Sequence, residues 1–338
     1  RKESSAASDV YKRQGVHHLR GECGVQQGDP AAASMFATGQ QPVLIRLAKR
    51  HERVFIVAYA DNIFLVGDVE SCFQLTTELI PAMSEDLDLD IQLKSSWVHV
   101  PAWAHMTSTP DIYDDILAKF PSLRGLPVQL NGAKVLGCPL GSPAYTRAET
   151  DKLASNIISL YDKIRDVPDG RIHFQLVKFC IHTKFQYILR CLPPAATMEA
   201  ATRLDAAACG AVMTYGGWPA PDDPNMTETP AYARGKTKLQ LPHELGGFGL
   251  ISLAHVANSA YYTATASYVQ WLASDLPNVT KFATFQFNPT ELRASKHPFI
   301  VDLVAAHDYL RRLGANDSRS MPNNRPSYGD CDDGQPPY

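Results

Sequence analysis

No apolar run in the 338 residues approaches the roughly 18 needed to cross a membrane; the longest, Val54–Ala60, is strand-sized. Nor does one sign of charge dominate. The 32 Lys and Arg against 35 Asp and Glu leave a formal net charge of −3, which excludes a strongly basic nucleic-acid binder while allowing a local basic channel. Cysteine is sparse: seven residues, an odd number, widely scattered and without a C-x-x-C pair. That argues against a disulfide framework and a zinc module, and makes a reduced intracellular setting the expectation. Gly (21) and Pro (24) are too few for a collagen-like or low-complexity chain. Without a secretory signal, the N-x-S/T matches at Asn225, Asn278 and Asn316 carry no weight. With 45% apolar residues the chain can still bury a real core, and its length suggests about two domains.

Both ends read as tails. Residues 1–14 open on Arg1 and are polar, Ser- and Ala-rich and without a period, so they resemble an appended scar or a disordered tail. Residues 317–338 are dense in Asn, Asp, Pro, Gly and Ser and are expected to be disordered. Between them, Gly28-Asp29-Pro30 before an Ala-rich run marks a helix start, with Asp29 capping the free amides and Pro30 at the first position. That helix is expected to reach Arg50, bent or interrupted at Pro42. The runs 54–58 and 63–66 predict a hairpin with Asp61 and Asn62 at its tip, both residues that tolerate positive φ.

Helical spacing of Cys72, Thr76, Leu79, Ile80, Met83 and Leu87 predicts an amphipathic helix over 69–86. Strands are expected at 91–100 and 134–138. Beyond them the periods turn helical, at about 148–164 and 171–190, with Pro193-Pro194 ending the second; residues 216–235 read as loop and 251–275 as a last helix. In the 171–190 segment, Phe174, Val177, Ile181, Phe185 and Ile188 form an apolar stripe, and Arg171, Gln175, Lys178, His182 and Gln186 a polar one, with no acidic residue between them. The fold class expected is α+β in the first half and mostly helical in the second.

The sharpest chemical feature is Asp61 in Tyr59-Ala60-Asp61-Asn62. A carboxylate presented by two strands suits Mg²⁺, which prefers hard oxygen ligands and takes one or two from protein. The same two residues are also ordinary turn chemistry, and spacing does not separate the readings. His243-Glu244 lacks the second His of a metalloprotease helix, and Gly246-Gly247-Phe248-Gly249 lacks the strand-then-helix frame of a nucleotide loop and reads as a turn.

Taken together, Gly24-Val25-Gln26-Gln27-Gly28-Asp29-Pro30, a helix and then Tyr59-Ala60-Asp61-Asn62 resemble motifs B and C of the palm of reverse transcriptases, especially those of non-LTR (LINE-like) retroelements. Leu89-Asp90-Ile91-Gln92-Leu93-Lys94-Ser95 resembles motif D, and Val135-Leu136-Gly137-Cys138-Pro139-Leu140-Gly141 motif E, the primer-grip turn. Leu189–Pro194 and Leu241–Leu250 resemble segments that follow the palm. The resemblance covers about 15–272.

It implies a partial palm over 15–142, a helical thumb over 143–215 and a helical C-terminal extension over 216–316. It also implies an RNA template with a DNA primer and dNTPs as partners, no membrane, and a nuclear setting for the intact element. In roles implied by the resemblance, Asp61 holds Mg²⁺ beside Asn62 and Lys94 helps protonate the leaving pyrophosphate. Gln27, Gly28, Asp29, Pro30 and Tyr59 line the nucleotide and template side, Gly137 shapes the grip, and Arg171 and Lys178 track phosphates.

Two departures matter. Asn62 stands where the family has a second Asp, so it contributes no negative charge. Too few residues precede Gly24 to hold motif A and its carboxylate. The expectation is therefore a fragment of an RNA-directed DNA polymerase that is inactive as it stands; the alternative is a non-catalytic nucleic-acid-binding remnant of a decayed element.

Overall fold

The structure is a computed structural model, and it describes residues 29–100, 110–217, 230–275, 293 and 298–313. Both expected tails, Gln27 and Gly28 lie outside the described residues. The chain is a mixed α+β protein, mostly helical, and its strands make three separate two-stranded sheets rather than one larger sheet. It divides into two compact units, one up to Val98 with 105–128, the other 99–104 with everything from Gln129.

In the first unit, Asp29 starts the chain into helix as expected: its Oδ1 accepts from the Ala31 amide at 2.9 Å, and α1 runs Ala32–Arg50. The expected break at Pro42 does not occur. Pro42 is exposed, and so is Thr38, whose carbonyl loses the missing donor to the solvent side. Strands β1 (Phe55–Tyr59) and β2 (Asn62–Val66) pair antiparallel from Phe55↔Val66 to Tyr59↔Asn62. Asp68 then caps α2 (Val69–Leu87), accepting from the Ser71 amide at 2.9 Å.

Val43 and Leu47 of α1, Val54, and Leu75, Leu79 and Met83 of α2 form the core here, and Ile56, Ile63 and Leu65 of the hairpin pack on it. The other hairpin face carries Phe55, Val57, Tyr59, Phe64 and Val66. It stays open: Tyr59 is 63% and Val66 60% exposed.

The strand expected over 91–100 is not there. Leu93–Ser95 is a 3₁₀ turn in which the Ser95 and Ser96 hydroxyls bond the Gln92 carbonyl, and β3 is reduced to Val98–His99, paired with β4 (Val128–Gln129). Serine side chains competing for backbone acceptors explain the loss. Helix α3 (Pro110–Lys119) lies between those strands in sequence.

In the second unit, the strand expected at 134–138 is a hairpin, β5 (Gly132–Val135) and β6 (Cys138–Gly141). Its turn residues Leu136 and Gly137 both have positive φ, 49° and 82°. Ser142 caps α4 (Pro143–Lys163), with Pro143 at the first position, so this helix starts five residues before the periodicity suggested. The 171–190 segment is helical throughout but not uniform: α5 (Gly170–Gln175), a π-helical turn (Leu176–Ile181), a 3₁₀ turn (His182–Phe185) and α6 (Gln186–Cys191). Pro193-Pro194 ends it and at once opens α7 (Pro194–Tyr215), a helix the periodicity did not reveal. Helix α8 (Pro230–Gln240) occupies the end of the expected loop, followed by α9 (Leu253–Asp275) and α10 (Pro298–Arg312).

Helix α7 packs against α4 and α9, and α9 also against α6 and α10. Val177, Phe185, Leu189, Ala201, Leu204, Ala208 and Leu253 are wholly buried there.

Candidate functional site

The hairpin apex is a two-residue loop, Ala60-Asp61. Positive φ falls on Ala60 (51°) and not on Asp61 or Asn62, the residues expected to supply it. An alanine in that region is strained by about 1–2 kcal/mol, and the conformation persists because neighbours hold it. One is visible: buried Gln40 of α1 donates from Nε2 to the Ala60 carbonyl at 3.2 Å. Nothing in the local sequence flags Gln40; it reads as a polar position on an ordinary helix. Its role is to tie the helix that follows Asp29-Pro30 to the tip of the hairpin.

The clamp leaves the Asp61 side chain exposed, with the Asn62 Nδ2 amide donating to its Oδ1 at 3.2 Å. Tyr59, exposed, sits across the register from Asn62. Lys94 is exposed on the 3₁₀ turn, and no hydrogen bond or ion pair joins it to Asp61. As a metal centre the donor set is incomplete. Asp61 is the one carboxylate at the tip, its neighbour is a neutral amide, and no group of three His, Cys, Asp or Glu among the described residues could hold an ion. Asp61 can offer Mg²⁺ one carboxylate, but these residues do not fit a two-ion centre.

The other predicted residues lie in the helical unit. Gly137 makes the β5–β6 turn, and the Tyr187 hydroxyl of α6 donates to the Leu136 carbonyl at 3.0 Å, fixing the turn to the helix. Arg171 is exposed in the first turn of α5, where Asp169 Oδ1 accepts from the Arg171 and Ile172 amides at 2.7 and 3.2 Å.

Two members of the polar stripe do not face solvent as expected. Lys178 Nζ donates to the Phe248 carbonyl at 3.0 Å and meets His243 Nε2 at 3.0 Å, so it staples the Gly246–Gly249 turn. Gly249, at φ 65°, comes so close that a Cβ there would lie 3.0 Å from that nitrogen. His182 is buried. Its Nδ1 accepts from the Tyr161 hydroxyl at 3.1 Å, and its Nε2 donates to the Ile251 carbonyl at 2.7 Å.

Beside it lies Asp205 of α7, also buried, whose carboxylate accepts from Ser252 Oγ (2.7 Å) and the Leu253 (2.7 Å) and Ala254 (3.1 Å) amides at the start of α9. Burial pushes this carboxyl up, but the bonds from His182, Ser252 and the two amides outweigh it and hold it below the ordinary carboxylate value. A Ser-His-Asp set is present in composition only, because Ser252 donates to Asp205 and not to His182. It is a cross-helix cap, not a nucleophile.

What the segment does show to solvent is Phe179, 61% exposed, with Lys178 Nζ 5.1 Å from its ring centroid, together with Arg171, Lys184, Tyr187 and Arg190. Helix α8 adds exposed Arg234, Lys236 and Lys238, and it contains no acidic residue. Phe179 was not anticipated, since it belongs to neither stripe. The π turn that follows Gln175 changes the register and carries it outward.

No family model matches the chain, and neither a curated protein nor a solved structure matches it. Among the described residues, no helix is long and apolar enough to cross a membrane.

Proposed function

We propose that this chain is part of a reverse transcriptase related to those of non-LTR retroelements, running from palm motif B through motif E and the thumb, and that by itself it binds an RNA template with its DNA primer without extending it. The observation that carries the reading is the Asp29-capped helix α1 fastened through Gln40 to a hairpin with Asp61 exposed at its tip. In this reading Asp61 is the motif C ligand for Mg²⁺, dNTPs are the substrates of the intact polymerase, and a second carboxylate must come from elsewhere. Lys94 is the motif D lysine and Gly137 the grip turn.

The helical unit supplies the nucleic-acid surface. Arg171, Lys184, Arg190 and the basic residues of α8 meet phosphates, and Phe179 offers a ring on which a base can stack. Lys178 leaves this set, because its ammonium already serves the Phe248 turn.

The test is fluorescence anisotropy with a labelled RNA–DNA template–primer over a salt series, run beside a primer-extension assay with Mg²⁺ and dNTPs. The expected result is binding that weakens linearly in log–log with salt, and no extension. Phe179→Ala should weaken binding by about 1–3 kcal/mol, the worth of one stacked base. Salt-independent or absent binding overturns the reading; Mg²⁺-dependent extension overturns the inactivity alone. Asn62 favours a second reading, a decayed remnant that retains binding. If the chain is supplied with its upstream region and Asn62→Asp fails to produce extension, that reading prevails.

A further inference from the structure

We propose that Cys138 and Cys191 form a peroxide-responsive dithiol that closes into a disulfide joining the β5–β6 hairpin to the end of α6. The two elements already meet through the Tyr187–Leu136 hydrogen bond. Cys191 follows Tyr187 by four residues, one turn further along the same face of the helix. Cys138 follows Leu136 by two, opening β6 opposite Val135. The bond between Tyr187 and the turn therefore brings the two sulfurs together, and their side chains are hydrogen-bonded. Cys191 is exposed, whereas Cys138 is half-buried and packs against the helical core.

The environment divides the labour. The Cys138 thiol donates to the Cys191 sulfur; with the Tyr187 hydroxyl and the Arg190 guanidinium, it lowers Cys191 to about 6 in spite of burial. Cys138, as the donor, is raised and stays protonated. At neutral pH the exposed member is thus the thiolate, the form that attacks. Its sulfur takes one oxygen from hydrogen peroxide: the S–O bond forms, the O–O bond breaks, and hydroxide leaves to pick up a proton as water. The sulfur is oxidised by two electrons and the peroxide reduced. Cys138 then attacks the sulfenic sulfur; the S–S bond forms, the S–O bond breaks, and the Cys138 proton leaves with the hydroxyl as a second water. Two thiols and one peroxide give one disulfide and two waters.

Other described cysteines are less suited. Burial pushes Cys72 and Cys209 up to about 11, so both remain thiols, and Cys180 is exposed away from this pair's hairpin. The inference is independent of the polymerase reading.

The reduced full-length chain, freed of reductant, is treated with hydrogen peroxide at pH 7, alkylated and analysed by intact mass and peptide mapping. The expected result is a loss of about 2 Da, a peptide linking Cys138 to Cys191, reversal by dithiothreitol and a higher Tm when oxidised. Cys138→Ser should stop at a Cys191 sulfenic acid trapped by dimedone. Cys191→Ser should give neither product, with the circular dichroism melts of both variants checking the fold. In the wild type, Cys191 should alkylate at least about threefold faster at pH 7 than a short-peptide cysteine, since its greater thiolate fraction outweighs its lower nucleophilicity. A link between other cysteines, Cys191 sulfenic acid that persists unlinked, or alkylation no faster than the peptide overturns the proposal.

Discussion

In the hairpin unit, a cluster of six buried apolar residues from α1, α2 and Val54 carries the packing, and one face of the hairpin is left open. The helical unit buries nineteen in one cluster and sets a satisfied polar network inside it, where Asp205 caps α9 from α7 while His182 bonds Tyr161 and the Ile251 carbonyl. The contrast teaches where each unit places its specificity. The helical unit fixes its helices by buried hydrogen bonds that only one arrangement satisfies, so its surface can be used without risk to the fold. The hairpin unit fixes a single turn, through Gln40, and leaves apolar strand residues uncovered. That is what a sheet made to receive a further strand or partner looks like.

The contrast breaks most readily at Asp205. Asp205→Ala leaves two amides and the Ser252 hydroxyl buried and unpaired beside His182, and should cost the helical unit about 3–5 kcal/mol. Hydrogen exchange read by mass spectrometry should show protection falling across α7 and α9 and unchanged in α1 and α2. If both units lose protection together, they do not fold independently and the comparison fails. Leu75→Ala, at a wholly buried position, is the converse. It should cost the hairpin unit about 2–4 kcal/mol and leave the α9 peptides protected.

Acid should sharpen the difference. A carboxyl held below its unfolded value stabilises the fold above that value and loses its contribution as pH falls through the folded one. The carboxyl of Asp205 is lowered from 3.8, so the helical unit should keep full stability above about pH 5 and lose it progressively below 4. Asp68 is lowered too, by the Ser71 amide and hydroxyl, but at an exposed cap where solvent weakens the effect. Urea midpoints measured between pH 3 and 7 should therefore fall further for the α9 region than for α2. The smallest effect expected is a gain: Ala60→Gly relieves the positive φ at the hairpin tip and should stabilise the hairpin unit by about 0.5–1 kcal/mol, read as a higher urea midpoint.

Much of the first unit was legible in sequence because its signals are local. Asp29 before Pro30, the twin apolar runs around residue 61 and the helical spacing over 69–86 each name an element without outside help. The misses have physical causes. Helix α7 is built from Ala, Thr, Cys and Gly with little polar contrast, and buries most of its girth between α4 and α9, so it shows no stripe. The strand expected at 91–100 gave way to serine hydroxyls bonding a backbone carbonyl.

At the candidate site, Asp61 and the Gly137 turn could be foreseen from residue type. Gln40, 20 residues from the carbonyl it holds, and Asp205, 48 from the amide it caps, could not, since their partners are chosen by the fold. Likewise, His182 and Lys178 occupy a polar stripe by spacing, and tertiary partners at Ile251 and Phe248 turn them to structural use.

The π-helical turn at Leu176–Ile181 also has a genealogical meaning. Such a turn holds one residue more than an α-helix needs, and each residue turns a helix by about 100°. Phe185, Ile188 and Leu189 reach the core only because that surplus residue has been counted in. Deleting one position between 176 and 181 would rewind the segment into plain α-helix and swing everything after it by roughly a quarter turn, carrying Phe185 toward water and Lys184 toward the core. The bulge is thus the mark of an insertion the fold has absorbed, and the spelling of the downstream helix now depends on it.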